Sequence, residues 1–462
     1  MQNEFSRKSA LKMIVTLAWP TVLEQILITA VSYVDTAMVG RYSDNASAIV
    51  GCTMTVNWLI GGIVSAIAVG FLSFIARAVG ANEHELVKRA AAQATSMALI
   101  SGILLTVIVL PIAKFIPGWM NADIAIREKA GTYFFIIYTP MIFRSATIIY
   151  GTVLRAAGDT KTPMVVNTAT NIINMVLNFF MIYETRAVSV LGMNLTIPGL
   201  NLGTTGAAIA SAIAFVVGGI WNTLAVYNSK ILSPRGLSLK PDPEILKPCF
   251  RVALPALLQR IATSSGYVAF SGMINTLGEA ATGAHTIANT AESAFYIPGY
   301  GMQAAASTLI GMSYGEKNAK KMKSICHMLL IIEVLVMILS GGFLFFGAEA
   351  IMRIFTKREE IIRIGTTVLM MVAVSEPAYG LAIIIEGIFH GVGDTMSTFV
   401  YGTVGMWGVR ILGTYIFVIL LGHGLIAAWA CMIAHNLVLS LLLSIRYIRG
   451  KWNPLARASK AP

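Results

Sequence analysis

Apolar positions in this chain run in long unbroken stretches divided by short polar breaks, with neither the alternation of a half-buried strand nor the stripe of a soluble amphipathic helix. Twelve such stretches recur, near 13–37, 49–75, 90–113, 131–152, 162–183, 205–227, 252–276, 286–311, 325–348, 364–388, 397–421 and 424–448. Each reaches or passes the roughly 20 residues that a helix needs to cross a bilayer. The pattern predicts an all-α integral membrane protein of about twelve transmembrane helices. Two breaks are longer than the rest. Residues 229–248 hold Pro234, Pro241, Pro243 and Pro248 among four lysines and arginines, and residues 184–203 form an irregular stretch with Pro198 and several glycines.

The polar punctuation repeats. Ala76-Arg77-Ala78-Val79-Gly80 corresponds to Gly311-Met312-Ser313-Tyr314-Gly315, Gly158-Asp159-Thr160 to Gly393-Asp394-Thr395, and Trp19-Pro20 to Leu254-Pro255, all at a constant offset of 235. Three matches in one register mean a duplicated unit. Six spans return the chain to its starting side, so the copies are parallel six-helix lobes related by a pseudo-two-fold axis, an arrangement typical of transporters. The expected domains are an N-terminal lobe at 1–228, a linker at 229–248 and a C-terminal lobe at 249–462. From Gly206 to Gly424 the offset falls to 218, so the copies differ in length just before those glycines.

Only 12% of the residues are charged, against 56% hydrophobic, far from a soluble composition. The net charge of +12 is a topology signal: with the N-terminus inside, 22 of the 34 Lys and Arg fall in cytoplasmic segments and 9 in outer loops. This places both termini in the cytoplasm, gives the basic charge anionic lipid headgroups as partners, and argues against nucleic acid. The loop with Arg353, Lys357, Arg358 and Arg363 runs against the bias. The first apolar run is too long for a cleaved signal peptide. The four cysteines show no metal spacing, HExxH and GxxxxGK[ST] are missing, and no cofactor is expected.

Ionisable and amide groups inside the spans are the candidates for function, because they are costly there. Asp35 lies late in the first span, and Glu24 lies about three turns earlier on the same face, with Pro20 weakening the helix between its start and both acids. The fifth span carries Asn167, Asn171, Asn174 and Asn178, at steps of four, three and four. At ~100° per residue these amides fall within roughly 60° of arc. Facing a carboxylate, such a stripe holds a small cation or a protonated acid; its plain alternative is a hydrogen-bonded seam between helices. Glu386 and His390 share one face of the tenth span, where they can relay protons or simply meet solvent.

Trp19-Pro20 with Val34-Asp35-Thr36, Leu154 through Thr160, Ala284-His285-Thr286-Ile287-Ala288 and Pro298-Gly299-Tyr300-Gly301 resemble, in that order along nearly the whole chain, the multidrug and toxic compound extrusion (MATE) transporters. The resemblance implies a V-shaped, two-lobe exporter of cationic or amphiphilic small molecules that alternates access and is driven by H⁺ or Na⁺. Asp35, Asn174 and Asn178 match the family's N-lobe cation site, where Na⁺ would bind if sodium is the ion, and Pro20 matches the helix-bending proline of DinF-like members. The acids that NorM-like members add in the seventh and tenth spans correspond to Thr263 and a position near Tyr379, with Glu376 a turn away, so the chain is more similar to DinF-like members and protons are favoured. A flippase for lipid-linked or glycolipid substrates is the alternative within the superfamily, and Arg144 and Arg260 are its candidate phosphate residues. A membrane-embedded enzyme would need clustered catalytic groups, which the spans do not show. The expected site is the cytoplasmic membrane and the expected state a monomer.

Overall fold

The computed structural model describes residues 7–120, 122–190 and 193–458. Helices dominate. In chain order they are α1 (Arg7–Tyr42), α2 (Asp44–Gly80), α3 (His84–Ile112), the short α4 (Ile116–Trp119), α5 (Ile124–Tyr138), α6 (Met141–Ala156), α7 (Lys161–Met181) and α8 (Gly203–Asn228). Then follow α9 (Pro243–Asn275), α10 (Glu279–Gly315), α11 (Ala319–Phe355), α12 (Glu359–Val392), α13 (Thr395–Thr403), α14 (Leu412–Thr414), α15 (Leu425–Ile448) and the terminal α16 (Pro454–Ala458). Among the described residues nine rods are long and apolar enough to cross a membrane, with α13 and α14 part of one rod, Thr395–Leu420. The pair α5 and α6, bent by 53°, makes a tenth. The bend falls at Thr139-Pro140, where the proline ring excludes a helical hydrogen bond, and it divides the fourth predicted span. α9 and α10, of 33 and 37 residues, are long enough but more polar, carrying Gln259 and Arg260, and Glu292 and Gln303. With them the rods match the twelve predicted spans.

Two details depart from plain helices. The stretch 184–203 is not irregular: β1 (Glu184–Val190) and β2 (Met193–Leu200) pair antiparallel, with Glu184 opposite Leu200 and a bulge between Glu184 and Arg186. In the eleventh rod, Val404–Ile411 and Tyr415–Leu420 are π-helical. The wider turns accommodate Arg410, which is only 3% exposed and lies over the rings of Tyr267 and Phe270 at 5.2 and 5.3 Å.

The chain forms two compact units. One comprises Leu27–Phe71 and His84–Leu246 and holds α3 to α8. The other comprises the chain up to Ile26, Leu72–Glu83 and the chain from Lys247 on, and holds α9 to α15. In the α9–α15 unit, Ala10, Ile14 and Ala18 on one face of α1 are buried with Leu309 of α10, Leu329 of α11 and Phe389 of α12. In the α3–α8 unit, the connection after α8 is docked on α3: Ser96 and Gln93 donate to the carbonyls of Leu239 and Lys240, both at 2.8 Å. Arg89 pairs with Asp242 and Glu244 and holds the Asp242 carboxyl below its usual range. That contact is therefore present at neutral pH and lost as pH falls through the lowered value. Pro243 opens α9, where the first N–H groups have no intrahelical partner, so proline fits there, whereas Pro248 lies inside the helix.

The repeated residues do the same work in both copies. Gly158 and Gly393 have φ of 90° and 84° and close α6 and α12. Asp159 N–H donates to Leu154 O and Asp394 N–H to Phe389 O, again counterparts in the repeat. Asp159 then accepts from Thr162 N at 3.0 Å, whereas Asp394 accepts from Ser397 Oγ and Arg446 Nε. The end of α2 meets the end of α10 through equivalent residues. A methyl group on Gly80 would overlap the backbone of Met312, one on Gly315 would overlap the backbone of Arg77, and one on Gly311 would stand 2.7 Å from the Ala76 Cβ. Residue i meets j′ and j meets i′, which is the contact pattern of a two-fold axis.

Because a side chain at the crossing must push the two backbones apart, we expect Gly315→Ala and Gly80→Ala each to cost about 1–3 kcal/mol or more of stability. Gly272→Ala, with nothing within 4 Å of the added carbon, serves as the control and leaves stability unchanged or raised. Melting temperatures of the three variants in detergent micelles check this; equal melting at all three would show that the crossing is slack.

Candidate functional site

Inside the α3–α8 unit, three helices converge on one acid. Asp35 comes from the later part of α1, Asn174 and Asn178 from α7, and Ser211 from α8. The buried face of α7 is Pro163, Val166, Thr170, Asn174 and Asn178, a step of three or four each time, so the last two asparagines are held inward by the same periodicity that seats the helix. Asn178 Nδ2 donates to Asp35 Oδ1 at 3.0 Å and to Asn174 Oδ1 at 3.1 Å. Asn174 Nδ2 donates to Ser211 Oγ at 3.1 Å. The Asn174 amide meets its surroundings better when turned over: its nitrogen then donates to Asp35 Oδ2 at 2.9 Å, and its oxygen accepts from Ser211 Oγ and N, both at 3.1 Å. Asn178 Oδ1 is buried with no donor. Nearby, Tyr183 donates to the Met38 carbonyl at 2.7 Å and ties the end of α1 to the chain just beyond α7.

The other sequence candidates are placed elsewhere. Asn167 and Asn171 lie on the flank of α7, half-buried, and Asn171 makes no side-chain hydrogen bond among the described residues. Pro20 sits within α1, which is helical from Arg7 to Tyr42. Glu24 is buried, 4% exposed, and belongs to the α9–α15 unit. Glu386 and His390 are not directly bonded. Glu386 accepts from Gln259 at 3.0 Å and Gln303 at 3.4 Å, while His390 meets Thr398, whose hydroxyl also reaches Gln259. Their link thus runs through Gln259, a residue that a search restricted to ionisable groups passes over; glutamines within apolar spans were the available signal. Ser211, in an alanine-rich stretch, carried none.

The α9–α15 unit buries further acids. Glu292, Glu333 and Glu376 are each at most 3% exposed. Among the described residues, both Glu333 oxygens and one of Glu376 lack partners. Tyr300 and Tyr379 share a hydrogen bond of 3.0 Å between their hydroxyls, and Tyr296 packs edge-on to both. Among the described residues no three His, Cys, Asp or Glu are grouped to hold a metal ion. Cys249, Cys326 and Cys431 are buried free thiols, and the Cys52 side chain lies outside the described residues.

A duplicated bundle of membrane-spanning helices with a hydrogen-bonded acid inside defines a membrane transporter. The chain belongs to the MatE family, whose model it matches twice, over residues 20–180 and 255–416. The two matches begin at Pro20 and Pro255, counterparts in the internal repeat. It is a multi-pass membrane transporter of the multidrug efflux type and not an enzyme. Over 445 residues it is 26% identical to a Thermotoga maritima protein named probable multidrug resistance protein NorM, covering 96% of this chain and 94% of that one. An uncharacterized Bacillus subtilis transporter, YisQ, is 22% identical over 95% of this chain and 94% of its own length. The fold is that of the MATE crystal structure in the bent conformation, with a TM-score of 0.88 and 23% identity over 98% of both chains. A Pyrococcus furiosus transporter of the MOP superfamily superposes with a TM-score of 0.86 and 22% identity, over 98% of this chain and 97% of that one.

The geometry separates the asparagines. Asn178→Leu removes a donor to Asp35 and a link to Asn174, whereas Asn167→Leu touches neither. We expect Asn178→Leu to reduce efflux about tenfold or more, as loss of a hydrogen bond to a charged group does, and Asn167→Leu to reduce it about twofold at most. Dye efflux at matched expression measures the difference, and equal losses would reduce the stripe to a helix-packing seam.

Proposed function

We propose that the chain is a proton-coupled antiporter of the cell membrane that exports cationic or amphiphilic small molecules, with Asp35 as the residue that takes the coupling ion and both termini in the cytoplasm. One observation carries the reading: among the described residues, the only ionisable group in the inner hydrogen-bonded seam of the α3–α8 unit is Asp35, and its partners are amides that can turn over. An ionised Asp35 is matched when both amides offer it a nitrogen, Asn178 to Oδ1 at 3.0 Å and the turned Asn174 to Oδ2 at 2.9 Å. When either amide instead turns its oxygen to the acid, that contact requires a proton on Asp35. Each protonation state of Asp35 therefore has its own set of amide orientations. Exchange between the sets alters what α7 and α8 present to α1. Pro20, which leaves a backbone carbonyl of α1 without its usual partner, gives that helix a place to bend in response.

Sodium is the weaker candidate. A Na⁺ ion at Asp35, Asn174 and Asn178 would need both amide oxygens turned to it alongside one carboxylate, which gives up both the Asn178–Asp35 and the Asn178–Asn174 hydrogen bonds. The tenth-span position that carries an acid in sodium-driven relatives is near Tyr379, whose hydroxyl is bonded to Tyr300.

In sodium-free proteoliposomes, a gradient with acid on the outer side should drive export, and Asp35→Asn should abolish it while the protein still folds. Glu386→Gln, which leaves the Asp35 seam intact, should slow export less than Asp35→Asn does. Export that requires sodium and ignores the imposed pH gradient would overturn the proton assignment.

A further inference from the structure

Arg144, on α6, is a cation with no acid beside it. Its Nη1 donates to Asn57 Oδ1 of α2 at 3.1 Å, and its guanidinium lies over the rings of Phe215 at 4.9 Å and Tyr138 at 5.8 Å. The Tyr138 hydroxyl donates to the same Asn57 oxygen at 2.6 Å. Among the described residues Arg144 takes part in no ion pair. A guanidinium has five N–H donors, and rings on its faces do not occupy those in its plane. Half-buried in a spanning segment, this one has a place for an anion that the protein does not itself fill.

Arg144 and Asp35 also converge on one helix. The Asp35 seam ends at Ser211 of α8, and the ring under Arg144 is Phe215, one turn further on. That step corresponds to about 6 Å along the helix. Buried Tyr133 lies within electrostatic reach of both charges. In the α3–α8 unit the Asp35 seam and the Arg144 cation thus meet α8 on neighbouring turns, with aromatic rings beside the cation.

We propose that Arg144 is a substrate-recognition residue that takes the carboxylate or phosphate of an amphiphile whose apolar body rests on Tyr138 and Phe215. This deepens the export reading and rests on it: the preferred substrate carries an acidic group, and the positive centre of a zwitterion would face the Asp35 side.

The test uses rhodamine 110, which has a free carboxylate, and rhodamine 123, its methyl ester. Binding to the purified chain in neutral detergent at one pH, read by fluorescence polarisation, needs no gradient and so is blind to any failure of the proton assignment. We expect the acid to bind about tenfold more tightly than the ester, in keeping with a charge-assisted bidentate contact. Arg144→Gln should bring the two dyes within about twofold of each other, and Arg144→Lys, which keeps the charge but loses the planar fork, should retain a preference of about threefold. Equal binding of both dyes by the unmodified protein, or an acid preference that survives Arg144→Gln, overturns the proposal and leaves Arg144 as a bolt between α2, α6 and α8. If Arg144→Gln does not fold, an undiminished preference in Arg144→Lys overturns it equally. Displacement of rhodamine 110 by dihexanoyl phosphatidic acid, but not by the matching phosphatidylcholine, supports a lipid headgroup as the source of the anion. Displacement by neither supports free carboxylates.

Discussion

The approach of two backbones without intervening side chains, at Gly80 and Gly315, is the constraint on which the duplicated architecture turns. Helices normally stand about 8–10 Å apart because side chains fill the space between them. Here the carbonyls of Met312 and Arg77 occupy the room that side chains would need. Bilayer lipid supplies little hydrophobic drive for helices to associate, so close packing of small residues has to hold such a contact. The contact is also reciprocal, each glycine meeting the counterpart of the other's neighbour. Of the identities that survive, Gly80 and Gly315 serve the crossing, and Gly158 and Gly393 serve the helix caps.

The same reasoning explains what could be read from the sequence and what could not. The spans were legible because hydrocarbon tolerates no uncompensated backbone, and length and polarity alone reveal it. Gly158 and Gly393 stood out because a left-handed cap leaves few alternatives to glycine. Asp35 with Asn174 and Asn178 was visible as polar groups in apolar helices at one helical phase. Their joining to Ser211 was not, since a serine among alanines fits equally well at a lipid face or in a helix interface. The bend at Pro140 and the π-helical turns around Arg410 also escaped a period-based reading. Each alters direction or phase within a rod whose overall hydrophobicity is unchanged.

Polar groups are apportioned differently between the units. The α3–α8 unit keeps one acid bonded to amides, with an arginine nearby bonded to a neutral amide. The α9–α15 unit buries four glutamates, Glu24, Glu292, Glu333 and Glu376, together with Arg410, and among the described residues several of its buried oxygens are unpartnered. Duplicated backbones therefore need not carry duplicated chemistry. Once caps and crossings are fixed by a few small residues, the interior faces are free to diverge, and the two copies become different instruments built on one frame.

The hairpin after α7 shows how such divergence is accommodated in length. It spans 184–200, and its length equals the drop in the repeat offset from 235 to 218. Its first and last residues pair with one another, and Asn201 N–H donates to Tyr183 O just outside them at 2.9 Å. The chain thus leaves α7 and re-enters α8 almost where it would without the extra segment. In evolutionary terms the hairpin is a cassette: it is closed at its base, so gaining or losing it does not shift the register of the helices on either side. Such a base is also a natural point of attachment, where an epitope or a rigid fusion could be carried without straining the helices on either side of it.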